Sequence, residues 1–168
     1  MQFSGWRKEN VQKVIDLLSL EKEAGFSEKK QKLWNWEHVE NPFKTDEKSV
    51  GLELSENDEI VGYNGLMPIM LKCGDQLLPS AWSFDTILSP KYRGKGHGKA
   101  LAKAVKMAYP VVLGLGISDA QESIMRKQGY IVNTEIEQFY FTNKARSFRD
   151  GLKVIGQKVE MKNCLVLD

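Results

Sequence analysis

A mixed α+β or α/β fold is predicted, with a central, mostly antiparallel sheet and helices on both faces. Three observations carry that prediction. Two stretches with helical spacing of apolar residues precede residue 42, and three consecutive strand-like segments follow between residues 50 and 88. A strand–helix–strand–helix–strand succession then begins near residue 80. Antiparallel strands followed by alternating strands and helices call for a mixed sheet covered on two sides. The length, 168 residues, suits one domain spanning 1–168. A chain of this size buries about two-thirds of its unfolded surface and needs neither disulfides nor metal to fold.

Taken in order, residues 2–6 read as a short strand. Val11, Val14, Ile15 and Leu18 share one helical stripe, with Asn10 as the N-cap. A second helix is expected over about 28–38, capped by Ser27 and stopped by Asn41-Pro42, because a residue before proline avoids the helical region. Val50, Leu52 and Leu54 alternate with Gly51, Glu53 and Ser55, as in a strand. A polar turn at 56–59 leads to a longer strand over 60–72 that contains Pro68, and a turn at 73–76 makes Leu71 and Leu77 parts of a hairpin. Over 80–88, simple alternation places Trp82, Phe84, Thr86 and Leu88 on one face, and Ser83, Asp85 and Ile87 on the other.

Next comes a glycine-rich turn and a helix with Leu101, Ala104, Val105 and Ala108 on one side and Lys99, Lys103 and Lys106 on the other, closed by Pro110. The apolar run 111–115 lacks alternation, as expected of a strand buried on both faces. Ser118-Asp119-Ala120-Gln121 is a capping box that opens a helix to about 128, with Gly129 just beyond its end. Strands are expected over 130–142 and 158–168.

Composition narrows the function. Lys and Arg number 24 and Asp and Glu 22, a net charge of +2 that is too even to argue for a nucleic-acid binder. Mean hydropathy is −0.39, and no apolar run approaches the 20 or so residues of a membrane span. Residues 1–7 lack the apolar core of a secretory signal. Cys73 and Cys164 match no metal or redox spacing and read as reduced thiols of a cytoplasmic protein.

The segment Leu88-Ser89-Pro90-Lys91-Tyr92-Arg93-Gly94-Lys95-Gly96-His97-Gly98-Lys99 carries the chemistry. Its glycines let the backbone turn sharply between a strand and a helix. The first amides of a helix lack internal acceptors, and the helix dipole adds positive potential there. Together they suit a phosphate or diphosphate, with Arg93, Lys95 and Lys99 adding charge. The G-x-x-x-x-G-K-[ST] phosphate loop is absent, and the spacing G-x-G-x-G at 94, 96 and 98 is not the dinucleotide G-x-G-x-x-G.

The arrangement resembles the GNAT superfamily of acyl-CoA-dependent N-acyltransferases. In that family a strand ending in V-x-P leads to x-x-[QR]-G-x-G-x-[GA] and a helix. Leu88-Ser89-Pro90 stands for the first part and Arg93 to Gly98 for the second. About 20 residues on, the family reads N-x-x-A-x-x-L-Y-x-K-x-G-F. Here Ser118, Gln121 and Ile124 take the Asn, Ala and Leu places, and Lys127-Gln128-Gly129-Tyr130 matches K-x-G-F. The likeness covers about residues 48–142. Trp34-x-Trp36 followed by Asn41-Pro42 also looks like a subgroup of bacterial members.

The resemblance implies that acetyl-CoA is the co-substrate and that no metal takes part. The loop Arg93, Gly94, Lys95, Gly96, His97, Gly98 and Lys99, with Ser118, would bind it. The backbone of Thr86, Ile87 and Leu88 would pair with its pantetheine arm, and the Leu88 amide would polarise the thioester carbonyl. The implied partner is a small-molecule amine acceptor, attacking directly. A homodimer is compatible with the family; nucleic acid and membrane are not expected partners. Asp85, three residues before Leu88, is the candidate base, since an enclosed carboxylate holds a proton more readily than one in water; Glu53 is the reserve. Met125 stands where the family often has the Tyr that protonates the leaving thiolate, so Tyr63 or Tyr140 is expected to substitute or the reaction to be slow. Met125 also motivates an alternative: a GNAT-fold module that binds CoA with little or no catalysis. One of Trp34 and Trp36 is expected in the core and the other at the acceptor site.

Overall fold

Five strands form one sheet in the order β1-β2-β3-β4-β5 in a computed structural model that describes residues 2–46 and 50–132. The strands are β1 (Gln2–Gly5), β2 (Gly51–Glu56), β3 (Glu59–Cys73), β4 (Gln76–Leu88) and β5 (Val111–Gly114). The first four pair antiparallel, and β5 joins β4 in parallel. The helices are α1 (Val11–Ser19), α2 (Phe26–Trp34, continued by a π-helical turn over Asn35–Val39), α3 (His97–Ala108) and α4 (Asp119–Lys127). The chain divides into two compact units, Met1–Tyr130 and Ile131–Asp168, and all these elements belong to the first. The strand expected at 158–168, nearly all of that at 130–142, and Tyr140 and Cys164 lie outside the described residues. No helix among the described residues is long and apolar enough to cross a membrane.

The expected two-sided cover is present. On one face Val14, Ile15, Leu17 and Leu18 of α1 and Trp34 of α2 pack against Trp6, Ile60, Tyr63 and Ile87. On the other, Leu101 and Val105 of α3 pack against Leu52, Leu66 and Ala81. Each buried Val, Leu or Ile among them contributes about 1.5–3 kcal/mol of burial. Because both faces are covered, alternation along β2 does not separate core from solvent. Glu53 is fully buried, its carboxylate accepting from the Arg7 amide (2.9 Å) and from Asn10 Nδ2 (2.7 Å).

That bond corrects the expected role of Asn10, whose side chain serves Glu53 and not the start of α1. The second helix likewise begins at Phe26 after the left-handed Gly25, and the Ser27 hydroxyl bonds Ser19 Oγ at 2.6 Å in place of capping. Strand β5 is half-buried and lies at the sheet edge among the described residues, so both of its faces are not closed. Half of the expected capping box is present: Ser118 Oγ accepts from the Gln121 amide at 3.3 Å, and Gly129 follows α4 with φ +79°.

Strand β4 departs most from simple alternation. Its register against β3 runs Phe84 to Gly65 and then Ile87 to Tyr63, so Asp85 and Thr86 together face Asn64. This is a β-bulge, and Asp85 sits in it at φ +49°. The extra residue reverses which face each later side chain takes. Phe84 therefore reaches His38 on the α2 side, and Ile87 joins the same core, where alternation had put them on opposite faces. Asn64 Oδ1 fastens the bulge by accepting from Ser83 Oγ (3.1 Å) and Thr86 Oγ1 (2.6 Å).

Candidate active site

Parallel pairing of β4 with β5 covers only Ser80–Ser83 and Val111–Gly114. Beyond Ser83, β4 continues to Leu88 with β3 on one edge but without β5 on the other, and a cleft of about 620 Å³ opens beside it. That volume lies within the range of small-molecule sites. Asp85, Thr86, Ile87, Leu88, Arg93, Gly94, Gly96, Gly98, Lys99 and Ser118 all line this cleft. Ten of the twelve residues singled out in the sequence thus converge. Lys95 and His97 do not line it; the Lys95 ammonium lies over the Tyr92 ring and His97 packs near the same ring.

Backbone polarity at the end of β4 follows from the ladder. Ser89 donates its amide to Val61 O of β3 at 2.8 Å. Amides of successive strand residues point to opposite edges, so the Leu88 amide points to the open edge. The Leu88 carbonyl points the same way and accepts from Arg93 Nε at 3.0 Å.

The turn that follows has Gly94 at φ +74° and Gly96 at φ +85°, a backbone that only glycine adopts at no cost. A Cβ at either position would meet nothing within 4 Å, so the space in front of the turn is open. The first internal bond of α3 runs from Ala100 N–H to Gly96 O (3.1 Å), leaving the His97, Gly98 and Lys99 amides without an acceptor inside the helix. A cradle of free amides at a helix start, with Lys99 beside it, fits a diphosphate. Gly98 has a second reason to be glycine, since a Cβ there would lie 3.3 Å from Ile124 Cδ1 of α4.

Arg93 behaves differently from expectation. Its guanidinium is held by Glu21 just past α1 (Nη1 to Oε1, 2.7 Å) as well as by Leu88 O, and so braces the turn. The same hydrogen bond holds the Glu21 carboxyl below its ordinary value.

Asp85 is 20% exposed, and its Oδ2 pairs with the ammonium of Lys30, a side chain only 5% exposed. Lys30 also donates to Glu37 Oε2 at 2.5 Å and lies 4.9 Å from the centre of the Phe84 ring. Behind this cluster, His38 stacks on Trp34 with centroids 4.0 Å apart. Its Nδ1 faces the Trp34 carbonyl and carries the hydrogen, so Nε2 accepts from the Tyr63 hydroxyl at 2.5 Å. Burial lowers the His38 pKa to about 3, with the Lys30 charge adding to the effect, and burial raises Tyr63 well above its ordinary value. Lys30 and Glu37 escaped the sequence reading. Their seven-residue spacing, two helical turns, was the one available signal.

Of the two tryptophans, Trp34 is core; Trp36 is 61% exposed and does not line the cleft, contrary to expectation. Met125 is buried and lines the cleft. No group of His, Cys, Asp and Glu able to hold a metal occurs among the described residues.

Gly96→Val puts a β-branched side chain at φ +85° and into the space before the amides. The expected result is a rise of about tenfold in the Kd for acetyl-CoA, read by calorimetry, with circular dichroism unchanged.

Comparison with known proteins bears on the family and the fold. A model of the "Acetyltransferase (GNAT) family" matches residues 11–110. An acetyltransferase of Trypanosoma brucei superposes with a TM-score of 0.61 at 16% identity, over 83% of this chain and 99% of its own. A predicted acetyltransferase of Clostridium acetobutylicum, solved with acetyl-CoA, gives 0.61 at 12% identity over 82% and 94%. An aminoglycoside antibiotic 6′-N-acetyltransferase of Acinetobacter haemolyticus gives 0.59 at 11% identity over 86% and 99%. At such identities these structures show the shared fold alone, and a comparison with curated proteins finds no match. The family model spans more than half of the sequence and contains the glycine turn and the strand before it: the chain belongs to the GNAT acetyltransferase family.

Proposed function

We propose that this protein is a cytoplasmic N-acetyltransferase that moves an acetyl group from acetyl-CoA to a primary amine of a small-molecule acceptor. The observation that carries the proposal is the row of free amides at the start of α3, beside a strand end whose Leu88 amide faces an open cleft. Acetyl-CoA supplies an activated thioester; the Gly98 and Lys99 amides and the Lys99 side chain hold its diphosphate, and the open edge of β4 receives its extended arm.

The acceptor nitrogen attacks the thioester carbonyl carbon directly. A C–N bond forms, and the carbonyl oxygen takes the negative charge, which the Leu88 N–H stabilises. Asp85 accepts the proton that the ammonium must lose. The C–S bond then breaks, the electron pair leaves with sulfur, and the second proton of the attacking nitrogen passes through solvent to that thiolate, so that one proton, the one on Asp85, is released overall. Met125 has no proton to give, and the Tyr63 hydroxyl is fully buried and committed to His38, so Tyr63 is not the acid. A thiol of pKa near 8.5 leaves as thiolate without one.

Met125 also favours a second reading, a GNAT-fold module that binds CoA without turnover. A panel of primary amines with acetyl-CoA and a thiol reagent separates the two. Amine-dependent thiol release above the hydrolysis background is expected. Tight CoA binding with no release for any amine would establish the second reading instead.

A further inference from the structure

Three ionisable side chains meet at the point where β4 bulges, and Asp85 is the one among them that lines the cleft. Lys30 contributes one positive charge, and Glu37 and Asp85 one negative charge each. The neighbouring elements bring further groups to this region. From the π-helical turn comes His38, neutral because burial holds its pKa near 3; from β3 come Tyr63, a neutral phenol, and Asn64. Glu53 of β2 lies on the far side of Tyr63, already paired with Arg7 and Asn10. Of the other charges lining the cleft, Glu21 is taken by Arg93, while Lys22 and Lys99 are cations, and Lys44 adds positive potential at His38. The three side chains together therefore carry a net charge of −1, which faces the cleft through Asp85.

We propose that Lys30 and Glu37 are positioning residues for Asp85, making with it a three-charge unit of net charge −1 that draws the acceptor in as an ammonium ion and has room for the one proton the reaction releases. This rests on the acetyltransferase reading above.

The roles are unequal. Lys30 fixes the carboxylate within the bulge. A lone Asp85–Lys30 pair would resist protonation, because the added proton would compete with a full adjacent charge. Glu37 draws on the same ammonium from the other side, so Asp85 is left with a share of it. When the ammonium of the acceptor passes its proton to Asp85, the nitrogen keeps the electron pair, and the cluster goes from −1 to neutral. No charge is then left buried without compensation, the condition that is most unfavourable in an enclosed site.

Lys30→Met and Glu37→Gln test this, because they perturb Asp85 in opposite directions. Removing the ammonium leaves two carboxylates facing each other, and the acid limb of the kcat/KM profile is expected to rise by about one pH unit. Removing the Glu37 charge lets Lys30 serve Asp85 alone. The acid limb is then expected to fall, with a severalfold higher KM for a cationic amine. The Asp85 side-chain carboxyl ¹³C signal, assigned by its loss in Asp85→Asn, gives a second readout that needs no turnover and is expected to move the same two ways. Glu37→Gln is nearly isosteric and decides the matter if Lys30→Met does not fold. A carboxyl titration unmoved by Glu37→Gln, or moved in the same direction by both variants, overturns the inference. Opposite shifts of the carboxyl signal with an unmoved acid limb would uphold the coupled cluster and remove Asp85 as the base. Absence of thiol release from the unaltered protein with every amine would sink the acetyltransferase reading, while the titration still judges the cluster.

Discussion

Asp85→Asn is expected to lower kcat for amine acetylation about a hundredfold at pH 7, the scale of a lost general base. The Kd for acetyl-CoA should stay unchanged, because the diphosphate cradle lies at the start of α3 and not at the bulge. The amide is nearly isosteric with the carboxylate and keeps an oxygen for Lys30. The loss is therefore one of proton acceptance more than of shape. A distinctive signature is its pH dependence. As pH approaches the pKa of an alkylamine, about 10, the acceptor loses its proton to solvent unaided and the variant should approach the unaltered enzyme. Steady-state rates between pH 6.5 and 10 check this; a defect constant across that range would mean that Asp85 has another role.

What the sequence made legible here follows from how local each feature is. The diphosphate cradle was readable because its geometry depends on a few adjacent residues: Gly94 and Gly96 permit positive φ, and a helix that starts at His97 must leave amides free. The amphipathic stripe of α1 and the Ser118 N-cap of α4 were readable for the same reason. Asp85 was placed near the end of β4 correctly, but its environment was not. The bulge arises from the register between β3 and β4, a pairing of residues some twenty apart, and nothing local to Asp85 announces it. Asn10 and Ser27 failed as caps because distant partners, Glu53 and Ser19, compete for the same side-chain atoms. Lys30 is the clearest case. Isolated on α2 it has the appearance of a solvated lysine, and only the sheet beneath, with Asp85 and Phe84, reveals why its ammonium is buried.

Acid is expected to destabilise this fold through His38. The side chain is fully buried and stays neutral in the native state down to about pH 3, whereas in the unfolded chain it takes a proton near pH 6.5. The folded pKa lies below the unfolded one, so the unfolded state binds more protons between these values. Stability from this group is intact above pH 6.5, falls by up to about 1.4 kcal/mol per pH unit as pH drops, and stops falling below pH 3. The loss amounts to about 2 kcal/mol at pH 5 and about 5 kcal/mol at the acid end, a large part of the stability of a small domain. Carboxylates titrate in the same window, so the single-group contribution is isolated by comparison with His38→Gln, whose side-chain oxygen can still accept from Tyr63 Oη. That variant is expected to be less stable at pH 7, having lost the stack on Trp34, yet to lose about 2 kcal/mol less than the unaltered protein between pH 7 and pH 5. Urea unfolding midpoints at each half pH unit measure the difference. Parallel curves for the two proteins would mean that His38 takes up its proton without leaving the fold, and that the Tyr63 hydroxyl yields its place at Nε2.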